Sequence, residues 1–468
     1  MPTRRPAQRS DESNSLKTSL WELANFTPKQ AEAWQALMDY DYLLYGGARG
    51  GGKSYLLRWS MLLFLEKIYR ETGLKDVKVA IFCEDYPTLK DRQISWIETE
   101  FPSWCGELKS TKADGLGFHL HPDLGSGIIL LRNLDKPDKY KSSQWAAIAV
   151  DELTQNPYPV FGKLIGSKRW PGLGFTKFIG TTNPGGIGHL WVKDAWIDRT
   201  FLGHPELKQK QGQFHFVPAL LDDNPYLPPE YRADLEMQEE KIKRAWLYGD
   251  WNVFEGQVFS EWNPELHTCE PFEIPDYWIK RRAVDWGYAK PWCCLWSAQD
   301  PDTGRKFVYR EAYGTGLTDV RQAQIIKQHS EGELFKVTFG DPSMWQRKNL
   351  EGLVSSTADE YSKNGVRLTR GDNDRMSGMR KVHRALSNLP DGLPGLVIFK
   401  TCKNLVRTLP ALPYDETNVE DVDSDAEDHA YDCLRYLLSD LAKPPDLGDN
   451  SGTKQWERKA QAIAEHFK

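Results

Sequence analysis

The sequence lacks the features of a membrane or secreted protein. Its most apolar stretch, residues 56–65, contains Arg58 and Trp59 and is too short to span a bilayer. The first fifteen residues are polar and hold no apolar run of the kind found in a secretory signal. The sequence therefore predicts a cytoplasmic protein that does not bind membranes.

Cysteines are few, and positive charge is not in excess. The chain has seven cysteines in 468 residues, none in a CxxC pair, and an odd number argues against a disulfide framework. A net charge of -6 is unusual for a protein whose whole surface coats nucleic acid, so any such contact must be local. Residues 367–384 carry six Lys or Arg against two Asp, but a solvated charged face explains such a run equally well.

The chain also lacks internal repeats and low-complexity segments. Its 40% hydrophobic and 27% charged content is typical of a globular protein. At 468 residues it is too long for a single hydrophobic core. We expect two or three domains.

A glycine-rich loop is the strongest signal in the sequence. Residues 46–54 read GGARGGGKS and match the phosphate-binding pattern of two glycines flanking four residues before Lys and Ser. A predicted strand (41–45) precedes the loop, and a predicted apolar helix (54–67) follows it, so the order favours nucleotide binding over a glycine-rich linker beside a buried helix. The predicted phosphate-binding residues are Gly47, Gly50, Gly51, Gly52, Lys53 and Ser54.

Strands and helices alternate after this loop. The alternation predicts a doubly wound α/β domain. The predicted strands are residues 78–83, 127–131, 146–150 and 177–182.

Two adjacent carboxylates end the strand AAIAVDE. In a nucleotide-binding sheet, we expect Asp151 to reach the Mg2+ shell and Glu152 to polarise the attacking water. A pair of helix-capping acids after an ordinary strand is the alternative.

Other polar residues are candidates for the same site. Thr181, Thr182 and Asn183 end the next strand and could sense the γ-phosphate, although an ordinary exit from a strand has the same composition. Arg49, inside the loop, either reaches the transferred phosphoryl group or braces the loop. Gln30 either recognises adenine or is a surface residue early in a helix.

A second domain is predicted from about residue 275. Residues 222–247 are charged, helical and punctuated by proline, and 249–259 have the composition of a junction. The second domain then begins with three predicted strands and a turn at 300–304. Its predicted strands are 278–286, 292–298, 306–313, 335–340 and 395–400, and its first and last helices are 318–331 and 427–441.

Acidic residues recur at strand ends and on the last helix of this domain. Asp285 follows residues 279–284 of the first of these strands, and Asp341 follows 335–340. The spacing of Asp428, His429 and Asp432 places them on neighbouring parts of one helix. Such carboxylates can converge on two divalent ions that stabilise in-line attack on a phosphodiester. The alternative is that these acids do not converge, and that each one serves separately as a helix cap or a turn residue.

Taken together, these motifs resemble those of the large terminase subunit of tailed bacteriophages. In the first domain the similar segments are FTPKQ, GGARGGGKS, AIAVDE and TTNP. In the second they are AVDWG, FGDPS and EDHAYDCLRY, which resemble the three acidic motifs of an RNase H-like nuclease. Each motif alone is common, whereas this combination in this order is specific.

The resemblance implies a fold, an activity and partners. The fold is a P-loop (ASCE-type) ATPase domain followed by an RNase H-like nuclease domain. The activity is ATP-driven packaging of double-stranded DNA and Mg2+-dependent cutting of concatemers, with Mn2+ able to replace Mg2+ at the nuclease site. The partners are the portal protein, the small terminase subunit and other copies of the chain in a ring, so the place of action is the host cytoplasm and, transiently, the procapsid portal.

The resemblance also favours particular residues and bounds. It selects Asp432, assisted by His429, as the third nuclease acid, with Asp428 as the alternative ligand. Arg132 and Arg169 are candidates for a trans-acting arginine. The expected segments are an N-terminal arm (1–20), the ATPase domain (21–220), a linker (221–274), the nuclease domain (275–443) and a polar tail (444–468).

Two other functions fit the same motifs. A helicase-like translocase would keep the ATPase and use the second domain only to bind DNA. A scaffold would bind nucleotide only to order its assembly.

Overall fold

The computed structural model describes residues 19–254, 256–350, 353–415 and 421–439. By their contacts, the described residues form two compact units. The first holds residues up to 270 together with 400–431, and the second holds 271–399 together with residues from 432 onward. The contiguous domain bounds expected from the sequence stay a prediction, and the expected tail at 444–468 and most of the expected arm lie outside the described residues.

The first unit contains an eight-stranded sheet in the order β3-β4-β5-β2-β6-β7-β1-β8. Six neighbouring strands, from β5 to β8 in that order, are parallel, and the β3–β4 hairpin adds two antiparallel strands at one edge. The strands are β1 (Tyr42–Gly47), β2 (Lys78–Cys83), β3 (Gly106–Thr111), β4 (Gly115–Leu120), β5 (Ile128–Asn133), β6 (Ala147–Val150), β7 (Lys177–Thr182) and β8 (Phe214–Ala219).

Helices cover both faces of this sheet. Two hydrophobic clusters lie on opposite sides of it, and the central strands β1, β6 and β7 are buried along their whole length. None of the described helices is long and apolar enough to cross a membrane. The helices are α1 (Leu20–Ala24), α2 (Pro28–Asp39), α3 (Lys53–Thr72), α4 (Tyr86–Leu89), α5 (Ser95–Glu100), α6 (Tyr158–Ile165), α7 (His189–Val192), α8 (Pro229–Glu236), α9 (Glu240–Tyr248) and α10 (Pro264–His267).

Shorter helical turns join these elements. Two of them are π-helical turns that continue α4 and α7, namely Lys90–Ile94 and Lys193–Ile197. The 3-10 turns of the first unit are Pro122–Leu124, Pro137–Tyr140, Leu153–Gln155, Pro205–Gln213, Leu221–Asp223 and Leu409–Ala411.

The order of the strands decides which residues meet at the glycine loop. β7 lies between β1, which leads into the loop, and β6, which ends before the paired acids. All three strands are parallel, so their carboxyl ends meet at one edge of the sheet, where ligands bind in doubly wound folds. An extra strand between the loop strand and the acidic strand is the ASCE-type arrangement, so this part of the predicted fold class is confirmed.

The second unit is built on six strands in the order β16-β13-β10-β11-β12-β17. β10, β11 and β12 form an antiparallel meander, while β13 is parallel to β10 and β16 is parallel to β13. This is the strand arrangement of an RNase H-like sheet, so the second half of the predicted fold class is also confirmed. The strands are β10 (Ile279–Asp285), β11 (Trp292–Gln299), β12 (Lys306–Gly314), β13 (Val337–Gly340), β16 (Thr369–Arg370) and β17 (Leu396–Phe399).

Helices, a small hairpin and the short strand β9 are the other elements of the described residues. The last helix in the described part of the chain contains residues assigned to both units. The remaining elements are β9 (Thr268–Cys269), α11 (Asp319–Gln328), the hairpin β14 (Arg347–Leu350) with β15 (Leu353–Ser356), α12 (Thr357–Lys363), α13 (Arg375–Leu386), α14 (Lys403–Thr408), α15 (His429–Leu437) and the 3-10 turn Pro342–Trp345.

Candidate nucleotide and nuclease sites

The glycine loop runs from the end of β1 to the start of α3. Gly46 needs its missing side chain, because a Cβ there would lie 1.9 Å from the carbonyl oxygen of Thr182 on the neighbouring strand. Gly52 has φ of +69° immediately before Lys53, the first residue of α3. Backbone N–H groups at this helix start are therefore available to phosphate oxygens, as the motif predicts.

Lys53 is buried inside the loop. Its Nζ donates to the carbonyl oxygen of Ala48 at 2.8 Å and to Oδ1 of Asn183 at 2.7 Å. Burial lowers the pKa of Lys53, while the carboxylates of Glu152 and Asp151 oppose this effect. Both acceptors are neutral, so an anionic phosphate would be a stronger partner for the ammonium group.

Asp151 lies between the loop and β7 and accepts three hydrogen bonds from neutral groups. Ser54 Oγ donates to its Oδ2 at 3.0 Å, and Thr181 Oγ1 donates to its Oδ1 at 2.7 Å. Gln93, which the sequence analysis did not select, also donates to Oδ2, at 2.8 Å. The Ser54 hydroxyl and the Asp151 carboxylate are oxygen ligands of the kind that Mg2+ prefers. Neutral hydrogen-bond donors hold Asp151 in place without balancing its charge, so these residues fit that ion.

Glu152 follows in a left-handed conformation with φ of +51°. Thr182 Oγ1 and Asn183 Nδ2 each donate to its carboxylate at 3.5 Å, and Arg92 Nη1 lies 3.8 Å from Oε1. Burial raises the pKa of Glu152, with Lys53 opposing. A raised pKa and a strained backbone are both frequent at catalytic positions.

Asn183 and Thr182 link the paired acids to the rest of the unit. Asn183 contacts both Lys53 and Glu152 through its amide. Thr182 Oγ1 lies 2.6 Å from Thr154 Oγ1, and the carbonyl oxygen of Thr154 accepts from Gly188 N, just before α7, at 2.7 Å. A displacement at Asn183 therefore has a continuous path of contacts to α7.

Arg49 and Gln30 both contact their neighbours in the loop region. The Arg49 guanidinium lies 3.2 Å from the ring centroid of Trp246 on α9, and Arg49 N donates to the carbonyl oxygen of Trp246 at 2.8 Å. Gln30 Oε1 accepts from Thr27 N, and Gln30 Nε2 donates to the carbonyl oxygen of Gly52, both at 3.0 Å. The Gln30 amide retains one donor and one acceptor position for a base. The adenine role of Gln30 and the catalytic role of Arg49 both stay predictions.

A cleft of about 2140 Å³ opens over these residues. Its wall includes side chains that the sequence analysis did not select. Asn224 Nδ2 donates to the carbonyl oxygen of Gly50 at 2.6 Å, and the exposed Tyr226 accepts from Asn25 Nδ2 at 2.8 Å. The sequence did contain a feature that could have indicated Tyr226, namely the tyrosines of the proline-rich segment DDNPYLPPEY. A tyrosine between prolines in a loop is well placed to line a site.

The two candidates for a trans-acting arginine differ in their surroundings. Arg132 is partly buried, and Nη1 donates to the carbonyl oxygens of Leu131 and Leu116 at 2.8 and 2.9 Å. Arg169 is exposed and donates to the carbonyl oxygen of Gly166 at 3.1 Å. Arg132 therefore braces the edge hairpin of the sheet, and a role for either residue in a neighbouring copy stays a prediction.

In the second unit, two of the predicted acids end neighbouring parallel strands. Asp285 is the last residue of β10, and Asp341 directly follows β13. Val284 pairs with Gly340, and Asp341 N donates to the carbonyl oxygen of Val284 at 3.0 Å. The two carboxylates therefore lie at the same edge of the sheet, as expected.

A tyrosine connects this edge to α15. Tyr436 OH donates to Asp341 Oδ2 at 3.2 Å and accepts from Arg435 Nη2 at 2.9 Å. Burial raises the pKa of Tyr436, opposed by Arg435 and assisted by the nearby Asp341, Asp432 and Asp285. Tyr436 therefore contacts Asp341 directly, and the charges of all three predicted acids raise its pKa.

Asp432 is paired with two arginines. Arg435 Nε donates to Oδ1 at 2.6 Å, and Arg375 Nη1 lies 3.4 Å from Oδ2. Burial alone would lower the pKa of Arg435, but Asp432 and Tyr436 raise it overall. The negative charge of Asp432 is therefore balanced by cationic side chains.

The predicted nuclease ligand set is not assembled in this arrangement. Among the described residues, no group of three or more His, Cys, Asp or Glu side chains is placed to hold a metal ion. The oxygen donors suit Mg2+ or Mn2+, but the two guanidinium groups occupy Asp432. The assignment of Asp285, Asp341 and Asp432 as metal ligands thus stays a prediction that the present geometry does not fit.

Asp428 and His429 precede Asp432 on the chain. Asp428 is buried, and His429 is the first residue of α15. Both belong to the residues assigned to the first unit, whereas Asp432 belongs to the second. Their predicted roles as metal ligands stay predictions.

Comparison with known proteins returns large terminases. No family model and no curated protein matches the chain. The large terminase of a thermophilic bacteriophage, solved in complex with ATP-gamma-S, is 17% identical, with a TM-score of 0.41 over 88% of this chain and 98% of that chain. The large terminase of bacteriophage HK97 is 10% identical, with a TM-score of 0.46 over 88% and 94%. The large terminase nuclease domain of bacteriophage SPP1, solved with bound Mn, is 15% identical, with a TM-score of 0.28 over 37% of this chain and 95% of that domain. The chain is thus similar to large terminase structures over most of its length, which is the resemblance that its motifs predict.

Proposed function

We propose that this chain is the large subunit of a phage terminase, an ATP-hydrolysing motor that moves double-stranded DNA into a procapsid. The observation that carries the ATPase part is the set of contacts around Asp151. Ser54, Thr181 and Gln93 direct neutral donors at this carboxylate. The negative charge of Asp151 therefore lies at the same edge of the sheet as the N–H groups of the glycine loop.

Each residue of this site would have a different role in ATP hydrolysis. Lys53 would exchange its neutral acceptors for phosphate oxygens, and Ser54 with Asp151 would hold Mg2+. When bound, Mg2+ would neutralise charge on the phosphates. Glu152 would orient the attacking water and accept its proton, for which a raised pKa is suitable.

Coupling to movement would begin at Asn183. Its side chain contacts Lys53 and Glu152, so loss of the γ-phosphate changes both of its partners. The contacts of Thr182 with Thr154, and of Thr154 with Gly188, provide the route away from the site. Thr182 and Asn183 are therefore the proposed sensors.

The DNA partner and the site of action are further parts of this proposal. A motor that must pass any sequence has to hold phosphates rather than base edges. The basic helix α13 is a local surface of the required charge on a chain whose net charge is -6. We place the protein in the host cytoplasm and, as a ring of copies, at the portal, with the portal protein and the small terminase subunit as partners.

ATP hydrolysis by the purified full-length chain tests the first part. Lys53→Ala should lower kcat at least about a hundredfold, since a charge that stabilises the transition state is lost. Arg70→Ala, an exposed substitution in the same helix, is the matched control and should leave kcat unchanged. Wild-type hydrolysis by the Lys53 variant would refute the nucleotide site.

We propose DNA cleavage as the second activity of the chain. It is favoured by the placement of Asp285 and Asp341 at the ends of neighbouring parallel strands and by the hydrogen bond that Tyr436 donates to Asp341. A second unit that only binds DNA would not require acids at this edge.

Plasmid cutting in Mg2+ or Mn2+ separates these two possibilities. Asp285→Asn and Asp341→Asn should each abolish cutting and leave ATP hydrolysis intact. Asp302→Asn, at an exposed turn in the same unit, is the control. If the Asp285 variant cuts at the wild-type rate, the second unit is a DNA-binding module.

A further inference from the structure

Arg58 is a buried cation in the apolar helix α3. Its side chain is only 4% exposed, and burying a charge is costly unless the charge is paired. Glu100, at the end of α5, supplies the pair: Arg58 Nε donates to Oε2 at 2.8 Å, and Nη2 donates to the other carboxylate oxygen. Stability alone does not account for this arrangement, because two apolar side chains of similar volume would often stabilise a buried position as well or better.

The same guanidinium also reaches the π-helical turn Lys90–Ile94. Its Nη1 donates to the carbonyl oxygen of Arg92 at 2.6 Å and to Oε1 of Gln93 at 3.4 Å. Arg58 therefore contacts two consecutive residues of a type of turn that is frequent at functional sites.

Gln93 connects Arg58 to Asp151. Gln93 is fully buried, and its Nε2 donates to Asp151 Oδ2 at 2.8 Å. The two ends of an amide are chemically different, since the oxygen only accepts and the NH2 group only donates. Reversing the amide would place its NH2 group against the guanidinium and its oxygen against the carboxylate. Arg58 and Asp151 together therefore favour a single orientation of the Gln93 side chain.

α3 thus contacts Asp151 by two routes. Ser54, in the first turn of the helix, donates to Oδ2 directly at 3.0 Å. Arg58 lies four residues later, on the same side of the helix, and reaches the same oxygen through Gln93. The helix that begins at the glycine loop is therefore linked twice to the acid at the end of β6.

The π-helical turn also reaches the neighbouring acid. Arg92 Nη1 lies 3.8 Å from Oε1 of Glu152, the proposed base. Residues 92 and 93 therefore face residues 152 and 151, and Arg58 donates to both residues of the turn. A change at Arg58 would disturb both of these contacts.

We propose, on the basis of the ATPase function proposed above, that Arg58 is a positioning residue that orients the Gln93 amide so that this amide holds the Asp151 carboxylate beside the glycine loop. Glu100 fixes the plane of the guanidinium and thereby directs Nη1 at the turn. Without this alignment Asp151 keeps only its hydroxyl donors, and Glu152 shifts with it because the two acids are adjacent in the chain. Arg58 borders the nucleotide cleft, but all three of its nitrogens already donate to protein groups. It therefore acts on hydrolysis and not on nucleotide affinity.

ATP hydrolysis and nucleotide binding by the full-length chain test this proposal together. Binding is followed with mant-AMPPNP, a fluorescent analogue that is not hydrolysed. The combined substitution Arg58→Met with Glu100→Met removes the ion pair and leaves neither charge buried alone. We expect kcat to fall about tenfold because the acids lose their alignment, while the Kd for mant-AMPPNP stays within about twofold of the wild type.

Two further variants separate geometry from charge and from the stability of α3. Arg58→Lys keeps a positive charge beside Glu100 but lacks the planar fork that contacts Glu100 and the turn at the same time. It should lower kcat about threefold or more, with little change in melting temperature. Lys67→Met with Glu71→Met removes a more exposed ion pair farther along α3, and this control should leave kcat unchanged.

Gln93→Leu tests whether Arg58 acts through the amide. It removes both amide contacts at similar volume and should lower kcat about tenfold on its own. Added to Arg58→Met with Glu100→Met, it should lower kcat little further, because both changes break the same link. Independent effects would instead multiply to about a hundredfold.

Several results would overturn the proposal. One is a kcat within about twofold of the wild type in Arg58→Lys and in the combined variant. Others are a loss of kcat that multiplies with that of Gln93→Leu, or an equal loss of affinity for mant-AMPPNP. The ATPase function would still stand in each case, provided that Lys53→Ala is inactive. 

Failure of the ATPase function itself gives a different result. In that case the wild type hydrolyses no ATP, or Lys53→Ala matches it, and the positioning role of Arg58 fails as well. If the combined variant melts below the assay temperature, Arg58→Lys and Gln93→Leu decide by the same criteria.

Discussion

Asp151 in the first unit and Asp432 in the second are both buried or nearly buried acids at predicted metal sites, but their partners differ in charge. Asp151 accepts hydrogen bonds from Ser54, Thr181 and Gln93, all of them neutral. Asp432 is paired with Arg435 and Arg375. Neutral donors fix a carboxylate and leave its charge available to a cation, whereas a guanidinium cancels that charge. On the proposed function, the charge of Asp151 is thus available to a metal ion, whereas the charge of Asp432 is already balanced.

The largest effect should follow from removing the charge of Asp151. Asp151→Asn keeps the size of the side chain and an acceptor for either Ser54 or Thr181, which bond to different oxygens of Asp151, but it cannot balance Mg2+. We therefore expect kcat for ATP hydrolysis to fall about a thousandfold. Asp138→Asn, an exposed acid paired with Lys141, is the control and should retain full activity. A loss of less than about tenfold would contradict the metal role of Asp151.

Removing Asp432 should affect stability rather than only activity. Asp432→Ala leaves Arg435 buried without its carboxylate, which should cost about 3 kcal/mol of stability. Replacing both residues, as Asp432→Ala with Arg435→Met, should recover a large part of that loss, since no charge is then buried alone. The melting transition of the full-length chain measures both variants. Equal losses in the single and double variants would mean that the ion pair is not the source of the effect.

The sequence predicted most of the elements that place these two acids. Glycine spacing predicted the loop, and β-branched, apolar runs predicted β2, β6 and β7 because buried parallel strands have that composition. It did not predict β8, where Pro218 in FHFVPA argues against a strand; the structure places this strand at the edge of the sheet, where proline is tolerated. The hairpin β3–β4 was also missed, because β3 is largely exposed and has no apolar run.

The candidate sites were predicted less completely than the fold. Motifs selected Asp151, Glu152, Asp285 and Asp341 because these acids lie at the carboxyl ends of strands. They gave no indication of Gln93 or Arg92, which reach the first site from a π-helical turn, since no periodicity marks a single side chain that contacts a distant carboxylate. The sequence also did not predict that Asp432 pairs with Arg375, because Arg375 lies 57 positions earlier in the chain, at the start of another helix.

The pH dependence of ATP hydrolysis should report the burial of Glu152. Burial raises the pKa of this carboxyl group above that of an ordinary glutamate. Because a general base must be ionised, kcat should fall about tenfold per pH unit below the raised pKa, and this fall should begin at a higher pH than an exposed glutamate would give. A profile of kcat against pH, measured at saturating ATP and Mg2+, checks this. A flat profile down to the ordinary pKa of glutamate would exclude Glu152 as the base.

The smallest effect should come from Arg92, a cation beside the proposed catalytic base of the first site. Arg92 lies 3.8 Å from the Glu152 carboxylate and lowers its pKa, in opposition to burial. Arg92→Ala should therefore raise the pKa of Glu152 further and move the acidic limb of the rate profile to higher pH. Since the Arg92 side chain is 45% exposed and water screens the pair, we expect a displacement of only ~0.3 pH unit. Arg70→Ala, on α3, should give no displacement.

A shift to lower pH, or a kcat that falls equally at every pH, would mean that Arg92 acts on the phosphates rather than on Glu152. Arg92 would then be a phosphate ligand, and the difference in charge between the partners of Asp151 and those of Asp432 would not extend to the proposed base.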